Sequence, residues 1–388
     1  MILFPIRKNI MDNAFVVVIG SLHHNTLGVI RSLGEGGILP ENIVALLVSK
    51  ERNTNNLISS SKYIKSDNTF FVECFDEIVP WLINHSDHEE RWIIICCSDG
   101  AANAVISNHD ILNNKYIGPS TLMDISYLMV KSNQSKVAEE CGLNVPFSAE
   151  YVIGQDIDWD IFPCIIKPYK SAMEAGKSDI HIVESKEALF SCLKSIKSEK
   201  IQIQQYIKKS MEFQLIGCSL DGGRDLIIPG YTKIIRQPKT TNTGYLKYSP
   251  ISELDYDNNA VKRFFQRIGY NGLFSIEFVR DKNGKDYFLE INMRNDGNAY
   301  CVETAGVNLP YIWVFFQKNG RMPPMPITFS NSIYFIPDFN DLKVAINEIG
   351  LLKWFVQFSK AQSHSIYNKK DIMPFIVETM RHCKKLFK

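Results

Sequence analysis

Apolar positions recur along the chain in short blocks whose period changes from one region to the next. Phe15 to Ser21 reads F-V-V-V-I-G-S, a β-branched run of the length of a buried strand, and Leu27 to Leu33 then follows a helical period before a stop at Gly34, Gly36 and Gly37. Ile43 to Val48, Phe70 to Glu73 and W-I-I-I-C-C from Trp92 give further strands, and Phe75 to Asn84 a further helix. Over the first 120 residues this is a repeated βα pattern, which predicts a parallel sheet. Ser120 to Gly142 reads as helical, with an apolar stripe of Leu128, Met129, Val137 and Ala138.

Between Cys164 and Phe288 the apolar blocks shorten and alternate: C-I-I-K, D-I-H-I-V, I-Q-I-Q-Q-Y-I, E-F-Q-L-I-G-C-S-L, L-I-I-P-G-Y-T-K-I-I, L-F-S-I-E-F-V and D-Y-F-L-E-I. Turn residues such as D-G-G and D-K-N-G separate several of them, so this part is expected to be mostly antiparallel sheet, with helices at Glu187 to Ser195 and Asn258 to Ile268. Beyond Pro324 short strand and helix signals alternate as far as the basic K-K-L-F-K, and the segment reads as an extension packed on the main body. The fold class is therefore α/β followed by α+β.

Composition narrows the function classes. The 388 residues are 45% hydrophobic and 22% charged, an ordinary globular mix. A formal net charge of +1 gives no global field to hold nucleic acid or an anionic membrane, so neither is expected as a partner. No apolar run approaches the roughly 20 residues of a membrane helix. The N-terminus, where Met11, Asp12 and Asn13 follow Arg7 and Lys8, lacks a secretion-signal pattern, and a cytoplasmic location is expected. Nine scattered cysteines without a C-x-x-C pair read as reduced core residues.

The first turn, G-S-L-H-H-N, is not the glycine fingerprint of a dinucleotide fold, which argues against a nicotinamide cofactor and leaves that sheet as a scaffold. The residues with chemistry lie later. Alternation places Glu277 on one face of its strand, and Glu290, Asn292 and Arg294 together on one face of the next. If D-K-N-G closes these strands into a hairpin, two carboxylates and an amide converge. Such an oxygen-only set suits Mg²⁺ shared with substrate phosphates rather than Zn²⁺, so a magnesium nucleotide is expected; for any single Glu, an outward-facing surface acid is the competing reading. The G-K-S at Gly176 mimics the end of a P-loop, but Ser171 stands where the first Gly belongs and a β-like run follows where a helix is required. The eight histidines show no zinc spacing, and no G-x-S-x-G elbow is present.

F-S-I-E-F followed by L-E-I-N-M-R resembles the catalytic end of the ATP-grasp superfamily, as in biotin carboxylases and D-alanine or D-aspartate ligases. The likeness runs from about residue 120 to 315. The resemblance implies an N-terminal pre-ATP-grasp βα domain over 1–120, the lid and first lobe over 121–208, the catalytic lobe over 209–325 and a C-terminal extension over 326–388. It implies Lys131 and Lys167 as nucleotide-binding lysines, Gln204, Gln205 and Ile207 as the adenine hinge, and Glu212 as a ribose contact. Glu277, Glu290 and Asn292 would hold Mg²⁺, with Mn²⁺ as an alternative ion. Arg294 would stabilise the transferring phosphoryl group, with Lys167 also catalytic. The lid segment has a single glycine, Gly176, and the charges of Lys170 or Lys177 could stand in for backbone amides there.

The implied activity is that of an ATP-dependent carboxylate-amine ligase, with a small carboxylate and an amine as substrates and an acyl phosphate between them. Similarity of the G-Y-T-K-I-I-R-Q-P and N-D-G-N-A-Y stretches to D-aspartate-ligase-like enzymes makes Arg236, Lys233 and Tyr300 candidates for holding a substrate carboxylate, against the reading that they are solvent-facing strand-edge groups. A catalytically weak nucleotide-binding regulator and a phosphotransferase acting on another acceptor stay open as alternatives, and so does a homodimer.

Overall fold

In the computed structural model the described residues are 14–168, 181–196, 199–237 and 243–386; the expected lid segment, with Lys170, Gly176 and Lys177, lies outside them. The first layer is a parallel sheet of β1 (Val16–Gly20), β2 (Ile43–Val48), β3 (Thr69–Val72), β4 (Trp92–Cys96) and β5 (Tyr116–Ile117), in the order β3-β2-β1-β4-β5. The chain moves outward from β1 to β3 and then returns to the other side of β1, so the topological switch point lies between β1 and β4. Alternate residues of β1 face opposite layers: Val16 and Val18 enter one core, Val17 and Ile19 the other.

A second layer is the antiparallel sheet of β6 (Ser148–Val152), β7 (Cys164–Pro168), β8 (His181–Val183) and β9 (Lys200–Gln205), in the order β6-β9-β7-β8. It has a small core of its own, including Trp159, Ile166, Leu189 and Ile203. The third is a seven-stranded sheet in the order β14-β13-β10-β11-β12-β15-β16, formed by β10 (Lys209–Leu220), β11 (Asp225–Arg236), β12 (Tyr245–Pro250), β13 (Gly272–Asp281), β14 (Asp286–Asn292), β15 (Ile333–Ile336) and β16 (Ser363–His364). All its pairings are antiparallel except β15 with β16.

D-K-N-G does close β13 onto β14. The Asp281 carboxylate accepts from the N–H groups of Asn283 at 2.8 Å and Lys285 at 2.9 Å, and Gly284 takes φ +84°, a conformation that disfavours any residue with a Cβ. Both faces of the parallel sheet are buried together with parts of the seven-stranded sheet, in two cores that cross the boundary expected at residue 120. The expected helix at Ser120 to Gly142 is two helices, Ile125–Leu128 and Lys131–Glu140, and the second packs in the core behind β14 rather than in the small lobe. The C-terminal segment is more than an added layer, since it contributes β15 and β16 to the large sheet.

Of the nine cysteines, Cys74 and Cys383 are exposed and Cys192 half-buried; the other six are in the interior, and all are free. No helix among the described residues is long and apolar enough to cross a membrane.

Where the helix His24–Glu35 meets the helix Tyr300–Thr304, two acids face each other. Burial, then the charge of Glu35, push the Glu303 carboxyl up to about 8, and its Oε2 has no hydrogen-bond partner. Folding therefore takes up a proton at Glu303 between about pH 4.5 and 8, and the stability that this proton supplies is lost as pH rises through that window. Glu303→Gln is expected to raise the melting temperature more at pH 8.5 than at pH 5, as checked by thermal unfolding at the two pH values.

Candidate active site

Glu277 and Glu290 are directly opposite partners in the β13–β14 ladder, and Asn292 stands opposite Ser275. A cross-strand register of this kind brings side chains on one face within reach of each other. The two carboxylates and the amide therefore converge: Asn292 Nδ2 lies 3.4 Å from Glu277 Oε1 and 3.3 Å from Ser275 Oγ. Burial first, then the charges of Glu290 and Asp296, push the Glu277 carboxyl up to about 8. This is the signature of too much negative charge in a small buried space, and it is what a dication would relieve. The donor set fits Mg²⁺ with one adjustment. Asn292 now gives its Oδ1 to Arg294 Nη2 at 3.1 Å and turns its NH₂ toward Glu277, so it would have to rotate its amide to act as an oxygen ligand.

Lys131 opens the helix Lys131–Glu140 and forms a salt bridge with Glu290. Gln134 lies on the same face one turn later. It is buried, and its side chain exchanges two hydrogen bonds with the backbone of Ile291, donating at 3.1 Å and accepting at 3.0 Å, which fixes this helix against the end of β14 that carries Glu290 and Asn292. Burial by itself would lower the Lys131 pKa, but pairing with Glu290 outweighs it and the pKa rises. Lys167, at the end of β7 in the small lobe, is brought down to about 8 by burial and by the like charge of Lys131, with Glu290 opposing. Its Nζ donates to Gln204 Oε1 at 2.6 Å. Lys131, on the hairpin's own side, and Lys167, from the small lobe, thus both lie near Glu290.

Arg294 completes the cluster. Its guanidinium donates to Asp99 at 3.1 Å, to Asp296 at 3.1 Å and to Asn292, and these carboxylates raise its pKa although burial opposes them. Gln214 of β10, the ladder partner of Glu277, donates to Asp296 at 3.0 Å, as does Ser275 Oγ. Asn295 anchors the end of this strand to the parallel sheet: its N–H donates to Cys96 O at 2.9 Å and its side chain bonds Asn25. A cleft opens beside the cluster, lined by Glu212, Phe213, Gln214, Ile234, Gln237 and Glu277.

The other expected site residues divide. Glu212 lines that cleft and is paired with Lys209 at 2.5 Å. Gln204 and Gln205 end β9 and Ile207 follows half-buried, but Gln204 spends its carbonyl oxygen on Lys167. Two expectations are corrected. Arg236 is buried in a bidentate pair with Asp341 at 2.8 and 2.6 Å, and also donates to Gln357, so its hydrogen-bonding edge is already filled. Tyr300 packs away from the cleft, donating to Glu35 at 3.4 Å and accepting from Asn368 at 2.7 Å. Lys233 is exposed on β11. The sequence reading missed Asp99, Gln214, Ser275 and Asp296; a lone Gln within the apolar run F-Q-L-I-G-C was the one available signal among them.

No protein-family model matches the chain. It is 24% identical to a D-aspartate ligase of Enterococcus faecium (strain Aus0004), across 58% of this chain and 58% of that protein, so it spans a little over half the length of this curated relative. Among solved structures, it superposes on N5-carboxyaminoimidazole synthetase from Staphylococcus aureus complexed with ADP with a TM-score of 0.63 and 16% identity, over 87% of this chain and 86% of the other. The fold is that of the ATP-grasp enzymes. Other ATP-grasp neighbours are the biotin carboxylase domain dimer of Hydrogenobacter thermophilus 2-oxoglutarate carboxylase, in complex with Mg-ADP and bicarbonate (TM-score 0.59, 17% identity, 82% of this chain, 73% of that one), and an L-amino acid ligase from Bacillus licheniformis (0.56, 14%, 78% and 73%).

Proposed function

We propose that this chain is an ATP- and magnesium-dependent carboxylate-amine ligase. The observation that carries the reading is the convergence of Lys131 and Lys167 on the hairpin that carries Glu277, Glu290 and Asn292, with Arg294 beside them. The lysines would supply point charges to a polyphosphate, and Glu277, Glu290 and Asn292 would hold a Mg²⁺ ion that neutralises it. With Glu290 and Glu277 neutralised by Mg²⁺, the Lys131 ammonium would be free to leave Glu290 for phosphate.

A carboxylate oxygen of the acid then attacks the γ-phosphorus, the β–γ bridging P–O bond breaks and ADP leaves. The amine nitrogen attacks the resulting acyl carbon, the bond to phosphate breaks, and the amine gives up a proton. Arg294 lies beside the amide ligand and is held by two carboxylates, so it is oriented before the reaction to stabilise charge on the transferring phosphoryl group. Naming of relatives as D-aspartate and L-amino acid ligases supports an amino acid as one substrate. The dimer among the structural neighbours supports a homodimer here.

ADP release measured across a panel of amino acids, each with and without a second amino acid as amine, tests this. The expected result is release that requires both partners together, with phosphate formed in equal amount. Release with one partner alone and a stable phosphorylated product would instead identify a phosphotransferase.

A further inference from the structure

The turn G-S-L-H-H-N at the end of β1 carries more than scaffolding. It lies at the switch point between β1 and β4, and crevices at the carboxyl ends of parallel strands at such points are where α/β sheets bind ligands. The Asn25 and Asn295 bonds close the catalytic strand directly over it. His23 is the N-cap of the helix His24–Glu35, and its Nδ1 accepts from the Asn25 N–H at 3.2 Å. A ring nitrogen that accepts cannot carry the proton, so in the neutral ring Nε2 is the N–H and a pure donor. The ring remains exposed at the crevice, where burial of its base and the nearby Arg294 guanidinium lower its pKa and favour this neutral form.

Behind it, His24 lies with its ring centroid 3.8 Å away. His24 is 5% exposed, and its Nε2 has no hydrogen-bond partner in good geometry, although the Gly297 backbone is near enough to influence it. This nitrogen faces the catalytic lobe: a Cβ placed on Gly297 would lie 3.6 Å from it and 2.7 Å from Thr243 Oγ1. The crevice thus presents a tautomer-fixed donor, a buried unpartnered ring nitrogen and an arginine, whose guanidinium engages the carboxylates of Asp99 and Asp296. Such a set offers hydrogen-bond donors that a carboxylate oxygen can accept.

We propose that His23 is a specificity-determining residue of the acid subsite, where its Nε2–H donates to one oxygen of the substrate carboxylate beside Arg294 and leaves the other oxygen free to attack phosphorus. The inference rests on the ligase reading above. His23→Asn separates the ring from the cap, since Asn is among the strongest N-capping residues and keeps the acceptor for Asn25 while removing the donor at Nε2 reach. With the panel acid that drives ADP release in the wild-type enzyme, the variant is expected to show an acid KM about 10- to 100-fold higher. The KM for ATP and the melting temperature are expected to stay as in wild type. An acid KM within twofold of wild type overturns the assignment of His23 while leaving the ligase reading in place. A wild-type enzyme that releases ADP with no acid of the panel overturns both.

Discussion

Glu290→Gln is expected to lower ADP release by about 10³-fold or more while leaving the fold intact. On the proposed reading this carboxylate would help hold the Mg²⁺ ion that neutralises the transferring phosphoryl group, and its loss would be an electrostatic effect of at least the size seen for a single lost oxyanion donor. Stability should scarcely change, because the pair given up is with an exposed lysine and such pairs contribute about 0–1 kcal/mol. Glu277→Gln should be equally inactive for a different balance of reasons. Its carboxyl is already held protonated up to about 8, so a neutral amide matches the free protein and stability should hold or rise above pH 7, while the cation loses its second carboxylate. ADP-release assays and thermal unfolding of the two variants check this together; a Glu290→Gln enzyme within tenfold of wild type would remove Glu290 from the metal site.

The second large effect concerns stability. Arg236→Ala is expected to cost about 3–5 kcal/mol, because it leaves the Asp341 carboxylate buried without its bidentate partner. Trp354 Nε1 still donates to Asp341 at 2.9 Å but carries no charge to offset it. The double variant Arg236→Met, Asp341→Leu removes both charges and should recover most of that loss, short of the hydrogen bond that Trp354 gives up. Denaturant unfolding measures both variants. If Arg236 held a substrate carboxylate, the single variant would raise the acid KM; the expected result is an unchanged KM in whatever fraction stays folded.

The contrast between these two predictions marks how much of the site could be read from residue order. Glu290, Asn292 and Arg294 were legible because a strand places alternate side chains on one face whatever it packs against, and D-K-N-G made the return strand, with Glu277, its ladder neighbour. Arg236 and Tyr300 had the right chemistry for a substrate and similarity to support it, yet their partners lie at Asp341, Glu35 and Asn368, and no local pattern links positions so far apart. His23 and Asp296 stand just past strand ends and Asp99 opens the helix Asp99–Ser107, where the strand period has already lapsed. They become neighbours only because β1 and β4 lie side by side and Asn295 closes the catalytic strand over both.

Alone, the amino-acid sequence determined the strands and helices, the faces on which their polar residues lie and the oxygen-rich character of the β13–β14 hairpin, since each is a property of backbone period and nearest turns. Only the tertiary structure decided which cation meets which carboxylate, that the parallel sheet shares its cores with the seven-stranded sheet, and that the first turn lies beside Arg294 and Asn295. The physical reason is that burial and charge pairing depend on sheet order and through-space distance, and a Coulomb interaction across a few ångströms is indifferent to how many residues separate its partners along the chain.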